Sequence, residues 1–140
     1  GTSSWTDSSV KTGKTYYYKI KTVVKTQNGE QTSGFSNVKS AKAVPAKTTL
    51  KAKASDAKNV KLTWSKVKGA SGYEIYRSNS KDGKYSKVRT ISKGSTTSYK
   101  NGKLKKSTTY YYKIRAYRKV NGKKVYGSYS SVVSVKTKAK

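Results

Sequence analysis

Only a few kinds of side chain in this sequence could do chemistry. The 140 residues include no His and no Cys, whereas Lys and Arg number 33 against five acids, which gives a formal net charge of +28. The usual general base, thiol nucleophile and imidazole metal ligand are therefore missing. The acids are scattered and suggest neither a glycosidase-type carboxylate pair nor a calcium cluster; they are Asp7, Glu30, Asp56, Glu74 and Asp82. We predict a non-catalytic protein without cofactor or metal, in which Asp56 and Asp82 form turns and Glu74 is solvated on a strand.

The basic charge predicts attraction to polyanions rather than reading of a nucleic-acid sequence. Only four of the 33 cations are arginines, and the forked guanidinium is preferred over the lysine ammonium where phosphates or base edges are read. No groove-entering helix or RNA-binding motif is indicated, so nucleic-acid binding is a distant alternative. The chain also has no apolar run long enough to span a membrane.

The elements that position these side chains are predicted to be β-strands. Thr, Ser, Val and Tyr dominate the uncharged residues, with 13 tyrosines, three leucines and no methionine. Aromatic and β-branched residues pack well on a pleated sheet. The predicted fold class is therefore all-β.

An internal repeat organises the chain. The segment Thr-Tyr-Tyr-Tyr-Lys-Ile occurs at residues 15–20 and again at residues 109–114, which sets a repeat of 94 residues. The Asn-Gly dipeptides at 28–29 and 121–122 align with a slip of one residue, as expected at a loop tip. The sequence therefore carries one segment of the repeat twice.

Turn signals divide the region after residue 44 into short strands. Apolar and polar residues alternate within these strands, so each strand can bury one face. We predict seven strands, at residues 50–54, 60–64, 73–77, 85–91, 96–100, 110–120 and 131–137. Seven such strands favour a sandwich of two sheets.

Several separated segments resemble a fibronectin type III domain. They are Trp64 on the second strand, Gly-Tyr-Glu-Ile-Tyr-Arg-Ser at residues 72–78, and Leu104 six residues before Tyr110. The version with GYEIYRS, TYYYKIRAY and YGSYS is similar to modules of surface and secreted proteins of Gram-positive bacteria. This resemblance implies a seven-stranded immunoglobulin-like sandwich. It also implies a non-catalytic, extracellular role in spacing, displaying or anchoring other domains at the cell surface.

The resemblance also divides the chain into two parts. Residues 44–140 match a complete module, and residues 1–43 match the last three strands of a preceding one. Three strands without an opposing sheet cannot close a core by themselves. We therefore expect residues 1–43 to pack on a neighbouring module of the parent chain or another partner, to exchange strands with another copy, or to be disordered.

Strand alternation sorts the complete module into core and surface. The resemblance implies that Tyr110 is the corner tyrosine, whose hydroxyl bonds to the backbone of the preceding loop. The predicted core consists of Trp64, Tyr73, Ile75, Leu104, Tyr110, Tyr112 and Ile114.

Two outward faces are the candidate binding surfaces. The first two strands present Lys51, Lys53 and Lys61. The other sheet presents an aromatic and basic set next to Glu74, namely Tyr76, Tyr111, Lys113, Arg115 and Tyr117. One hypothesis is adhesion to anionic cell-wall or host glycopolymers, with tyrosines stacking on sugars and cations meeting negative groups. The alternative is that tyrosine pairs stabilise the sheet and lysines keep its faces soluble.

Overall fold

The chain forms two compact units, Gly1–Ala43 and Val44–Lys140. The computed structural model describes residues 3–140. All of the regular secondary structure in that range is β-strand, which confirms the predicted fold class. The smaller unit contains two antiparallel pairs. They consist of β1 (Thr15–Tyr18) with β4 (Lys39–Lys42), and β2 (Val23–Thr26) with β3 (Gly29–Thr32).

The first part of the smaller unit has no regular secondary structure. Residues 3–14 form no strand, although the 94-residue repeat aligns them with a strand of the larger unit. That strand, Ser98–Asn101, is held by pairing with Val60–Trp64. Residues 3–43 contain no counterpart of Val60–Trp64, so the segment has no edge to pair with.

The larger unit is a sandwich of two antiparallel sheets. The three-stranded sheet has the order β5-β6-β9, and the other has the order β11-β10-β7-β8, with β12 also paired to β10. The strands are β5 (Leu50–Ala54), β6 (Val60–Trp64), β7 (Gly72–Ser78), β8 (Ser86–Ile91), β9 (Ser98–Asn101), β10 (Thr109–Val120), β11 (Lys123–Tyr126) and β12 (Val133–Lys136).

The predicted last strand, 131–137, is present as β12, and β11 is an additional strand that the sequence did not predict. Between them Gly127 still donates its amide to Ala116 and Ser130 to Ile114, so the segment stays beside β10 without regular pairing. A Cβ at Gly127 would clash with the carbonyl oxygen of Pro45. The backbone near Pro45 therefore leaves no room for a side chain at this position.

The core lies between the two sheets. Trp64 packs against Tyr73 with ring centroids 5.4 Å apart, and the Tyr110 hydroxyl accepts a hydrogen bond of 3.0 Å from the Lys105 amide, as in a tyrosine corner. The buried set includes Leu50, Val60, Leu62, Trp64, Val67, Tyr73, Ile75, Leu104, Tyr110, Tyr112, Ile114 and Ala116.

The 94-residue repeat is also a repeat of hydrogen-bond register. Thr15 pairs with Lys42 as Thr109 pairs with Lys136. The same offset relates every residue pair of β1–β4 to β10–β12, and every pair of β2–β3 to β10–β11. The one-residue offset between the two Asn-Gly dipeptides therefore does not change the register of the paired strands. The smaller unit repeats the β10–β11–β12 hairpin of the larger one.

Candidate functional site

The aromatic and basic residues of the predicted face do lie on one face of the larger sheet. In the pairing of β7 with β10, Tyr76 is opposite Lys113 and Glu74 is opposite Arg115. Tyr111 is opposite Ser78 at the end of the same pairing. Lys51, Lys53 and Lys61 belong to the other sheet, so the two parts of the candidate site do not form one surface.

Glu74 is the centre of this face, and the expectation that it is solvated is wrong. Its side chain is 1% exposed, since the surrounding side chains close over it. One carboxylate oxygen accepts hydrogen bonds from Arg115 at 2.9 Å and from the Tyr76 hydroxyl at 2.8 Å. The other accepts from Lys124 at 3.0 Å and from the Tyr126 hydroxyl at 3.2 Å. A buried carboxylate is tolerated here because cations and hydroxyls satisfy both oxygens.

Proton affinities in this cluster follow from these contacts. Burial raises the pKa of Glu74, but hydrogen bonds from Arg115, Lys124 and Tyr76 outweigh that effect and hold the pKa at about 2. The hydrogen bond to Glu74 raises the pKa of Lys124. Burial, followed by the hydrogen bond to Glu74, raises the pKa of Tyr76. The cluster is therefore fully charged at neutral pH, and Tyr76 keeps its proton.

Arg115 and Lys113 of this face also lie over tyrosine rings. Arg115 is 3.6 Å from the ring centroid of Tyr126 and 5.0 Å from that of Tyr129. The Lys113 ammonium is 4.4 Å from the Tyr129 centroid and 4.3 Å from that of Tyr85. These cation–π contacts bridge neighbouring parts of the sheet. The aromatic and basic face is therefore largely occupied by contacts among its own side chains.

Tyr117 is buried, which corrects its prediction as a ligand-facing residue. It is 1% exposed, although it follows the outward alternation of β10. Its cross-strand partner is Gly72, and the missing side chain lets the ring cross β7, where its hydroxyl donates to the Ile91 carbonyl at 3.3 Å. Lys124 covers the ring from 4.6 Å. No ligand can stack on this tyrosine in the folded unit.

The outer face of the three-stranded sheet is different, because within residues 3–140 its lysines form no ion pair and lie over no aromatic ring. Beside the hydrogen bond from the Lys58 amide, however, attraction to Lys100 helps to lower the pKa of Asp56. Lys53 is paired across the sheet with Lys61, and Lys61 with Lys100, so three exposed ammonium groups form one row. Lys51 lies in the next row, opposite Thr63. We call these four lysines the lysine face. Like charges at adjacent cross-strand positions are destabilising, so this row is not explained by sheet stability.

Sequence reasoning missed several residues of both faces. Lys100 could have been found, since it alternates with the partly buried Tyr99 on β9. Tyr126 and Lys124 could not be placed, because β11 was not predicted as a strand. Their role depends on the pairing of β11 with β10, which brings Tyr126 opposite Tyr117.

The acidic side chains of the described residues do not cluster on either sheet face. Within residues 3–140, no group of three or more His, Cys, Asp or Glu side chains is arranged to hold a metal ion. The part of the chain that the structure describes also contains no helix suited to crossing a membrane.

The two packed antiparallel sheets define an immunoglobulin-like β-sandwich, and solved structures of this class are similar to the chain. The FN1–FN3 domains of chicken CNTN1 match with a TM-score of 0.58 and 22% identity over 94% of this chain, which spans 46% of that structure. FN3tt matches with a TM-score of 0.56 and 22% identity, covering 70% of this chain and 99% of its own. A Fn3-like protein from Clostridium thermocellum matches with a TM-score of 0.53 and 30% identity. The match covers 66% of this chain and 88% of the clostridial chain.

The chain belongs to the fibronectin type III family, as its 30% identity with the clostridial protein shows. No protein-family model and no curated protein matches it.

Proposed function

We propose that this chain is part of a tandem array of fibronectin type III modules that acts as a non-catalytic spacer or display element. Its setting would be the outside of a bacterial cell, in a surface or secreted protein. In this proposal residues 44–140 are a complete module and residues 1–43 are the end of the preceding one. The observation that carries the proposal is the recurrence of one hairpin with identical register 94 residues apart.

The construction of the complete module supports a mechanical role. Its most charged cluster, around Glu74, binds its own cations and hydroxyls, so β7, β8, β10 and β11 are tied together by side chains as well as by backbone pairing. Such cross-strand contacts resist separation of the sheet. Neighbouring modules of the parent chain are the expected partners.

A test of the spacer role measures length. One, two and three copies of residues 44–140 placed between two folded reporter domains are compared by small-angle X-ray scattering. The 12-residue strand β10 is roughly 40 Å long at about 3.4 Å per residue, so each copy should lengthen the particle by about that distance. A maximum dimension that does not grow with copy number contradicts the proposal.

A second candidate function is adhesion to an anionic glycopolymer, and the lysine face is the observation that favours it. The row of Lys53, Lys61 and Lys100 spans about 10 Å at a strand spacing of about 4.8 Å. Two unscreened ammonium groups about 6 Å apart repel by roughly 0.7 kcal/mol in water. A polymer with phosphate, carboxylate or sulfate groups at a similar spacing would remove this repulsion. Teichoic acids and acidic host glycans have that chemistry.

The adhesion hypothesis is tested by titrating the full chain with teichoic acid, heparin, duplex DNA and an uncharged glycan at low salt and at about 0.15 M salt. A triple Gln variant of Lys53, Lys61 and Lys100 should lose most of the binding. The control replaces three exposed lysines outside the face, Lys66, Lys68 and Lys93.

The comparison of these two variants separates a binding face from diffuse charge, since both remove three charges. Equal losses would mean that charge alone drives the association. Absence of binding at about 0.15 M salt would leave only the spacer role. Preference for DNA over both glycopolymers would favour the nucleic-acid alternative. Tyr111→Ala tests the other sheet, where the predicted stacking role requires a loss of glycan affinity.

A further inference from the structure

The smaller unit presents an open apolar face. Among residues 3–43 no side chain is buried, whereas the equivalent hairpin of the larger unit contributes Tyr110, Tyr112 and Ile114 to the core. Several large apolar residues are exposed, with Trp5 at 78% and Ile20 at 74%. A groove of about 690 Å³ is lined by residues that include Trp5, Asp7, Tyr16, Tyr18 and Ile20. We call this surface the open face.

The larger unit shows what kind of structure covers such a face. Its hairpin carries the same register, and the same corner bond recurs, since the Lys11 amide donates to Tyr16 at 2.9 Å as the Lys105 amide donates to Tyr110 at 3.0 Å. There β7 pairs along β10 in the same sheet, and the inward side chains of the hairpin are buried together with Leu62 and Trp64 of the opposite sheet. The open face is built to receive equivalent strands.

Asp7 indicates that a polypeptide bound to the open face should carry a positive charge. It accepts a hydrogen bond of 3.0 Å from the Tyr18 hydroxyl, as Asn101 accepts one of 2.8 Å from Tyr112, again 94 residues on. Asn101 also accepts a hydrogen bond from Arg77 of β7 at 3.2 Å. Arg77 in turn lies 5.1 Å from the ring centroid of Tyr110. With Asp in place of Asn, the equivalent arginine would form an ion pair.

We propose that the open face binds a polypeptide segment of the type of residues 44–96, with a buried tryptophan in its second strand and an arginine in its third that pairs with Asp7. The inference rests on the assignment of residues 1–43 as the end of a module, but on neither the spacer nor the adhesion role. The segment comes from outside residues 1–140. Each copy of this chain has two such hairpins and only one set of covering strands, so exchange between copies always leaves one hairpin uncovered.

A fusion protein tests the proposal directly. In this fusion, a second copy of residues 44–96 is placed directly before Ser3. Ser3 then follows Thr96 in the position that Thr97 has in the natural sequence, since Ser3 and Thr97 are 94 residues apart and therefore equivalent in the repeat. Amide hydrogen exchange is then measured in the fusion and in the unmodified chain. In the unmodified chain, residues 15–42 should exchange at least about 10³-fold faster than their equivalents 109–136, because no core protects them. In the fusion both segments should be protected to a similar degree.

Variants of the fusion test the face and the arginine pairing separately. Tyr18→Asp should abolish the protection of residues 15–42 and leave residues 109–136 unchanged. Asp7→Lys should lower that protection at least tenfold through repulsion of the arginine, whereas Asp7→Asn, which matches Asn101, should lower it less. If the fusion is insoluble, the unmodified chain with excess separate polypeptide of residues 44–96 gives the same readout.

Three outcomes would overturn the proposal. Residues 15–42 could remain unprotected in the fusion and with the added polypeptide. They could already be as protected as residues 109–136 in the unmodified monomer, in which case the face needs no occupant. They could also become protected in a concentration-dependent dimer of the unmodified chain, which would make a second copy the occupant. An Asp7→Lys fusion with undiminished protection would refute the predicted ion pair.

Discussion

Replacing Glu74 by Gln tests whether its charge stabilises the larger unit. The pKa of this carboxyl is lowered from 4.5 to about 2, so its ionisation contributes about 3 kcal/mol to the free energy of unfolding at neutral pH. Removing one partner of a buried ion pair typically costs about 3–5 kcal/mol. The lower end applies here, because the Arg115 and Lys124 side chains are 21% and 30% exposed and can turn to water. We expect a loss of about 3 kcal/mol near pH 7.

The pH dependence distinguishes the effect of removing the Glu74 charge from the effect of altered side-chain packing. Because the folded state lowers the pKa of Glu74, the stabilisation is fully present above the unfolded value of 4.5 and is lost as the pH falls toward 2. The difference between the wild-type chain and Glu74→Gln should therefore shrink from about 3 kcal/mol near pH 7 to less than about 0.5 kcal/mol near pH 2. Effects of the other acids cancel in this difference.

The assay is urea unfolding followed by the fluorescence of Trp64 in a Trp5→Phe background. Glu30→Gln is the control, since it removes the same charge from a side chain that is 61% exposed and 3.9 Å from Lys25; it should change the free energy by less than about 0.5 kcal/mol. A Glu74→Gln deficit of equal size near pH 2 and near pH 7 would refute the electrostatic explanation.

Other perturbations of the fold have equally definite expected outcomes in the same urea assay, read by circular dichroism where a tryptophan is changed. Trp64→Ala should cost about 3–5 kcal/mol, whereas Trp5→Ala, at a residue 78% exposed, should change stability by less than about 0.5 kcal/mol. Tyr110→Phe removes the corner hydrogen bond and should cost about 0.5–1.5 kcal/mol. Gly72→Ala would drive a Cβ into the Ile91 carbonyl oxygen and to 2.5 Å from the Tyr117 hydroxyl oxygen, and should cost at least about 1–3 kcal/mol; an unchanged midpoint would contradict this packing. Raising NaCl from about 0.02 M to about 0.5 M should raise the urea midpoint, because screening weakens repulsion among unpaired lysines.

Alternation along single strands carries most of the information about the core. On β6, β7 and β10 up to Ala116, the apolar residues that it turns inward are buried, because each strand of a sandwich has one covered face. Alternation fails for Glu74 and Tyr117, which point outward and are nevertheless buried. Their burial depends on neighbours across the sheet, Gly72 for Tyr117 and Lys124 for Glu74. Those neighbours are known only once the register is known.

The same limit applies to the lysine face. Each lysine is visible in the sequence as an outward residue, but the row of Lys53, Lys61 and Lys100 exists only through the pairing of three strands. The hairpin repeat is the opposite case. The offset of 94 residues between the two sequence copies is also the offset between their paired residues. This follows because the alternation of inward and outward residues, which fixes the register, is the same in both copies.

The distribution of ion pairs shows that the charge excess does not serve the stability of the fold. Within residues 3–140, ion pairs engage only Lys25, Lys87, Arg115 and Lys124, and three of these meet at Glu74. Most of the 33 cations are therefore uncompensated, and their mutual repulsion opposes folding. In the row of Lys53, Lys61 and Lys100 the strand pairing places like charges at adjacent cross-strand positions, so part of this repulsion is built into the register of the sheet, and a polyanion bound along the row would relieve it.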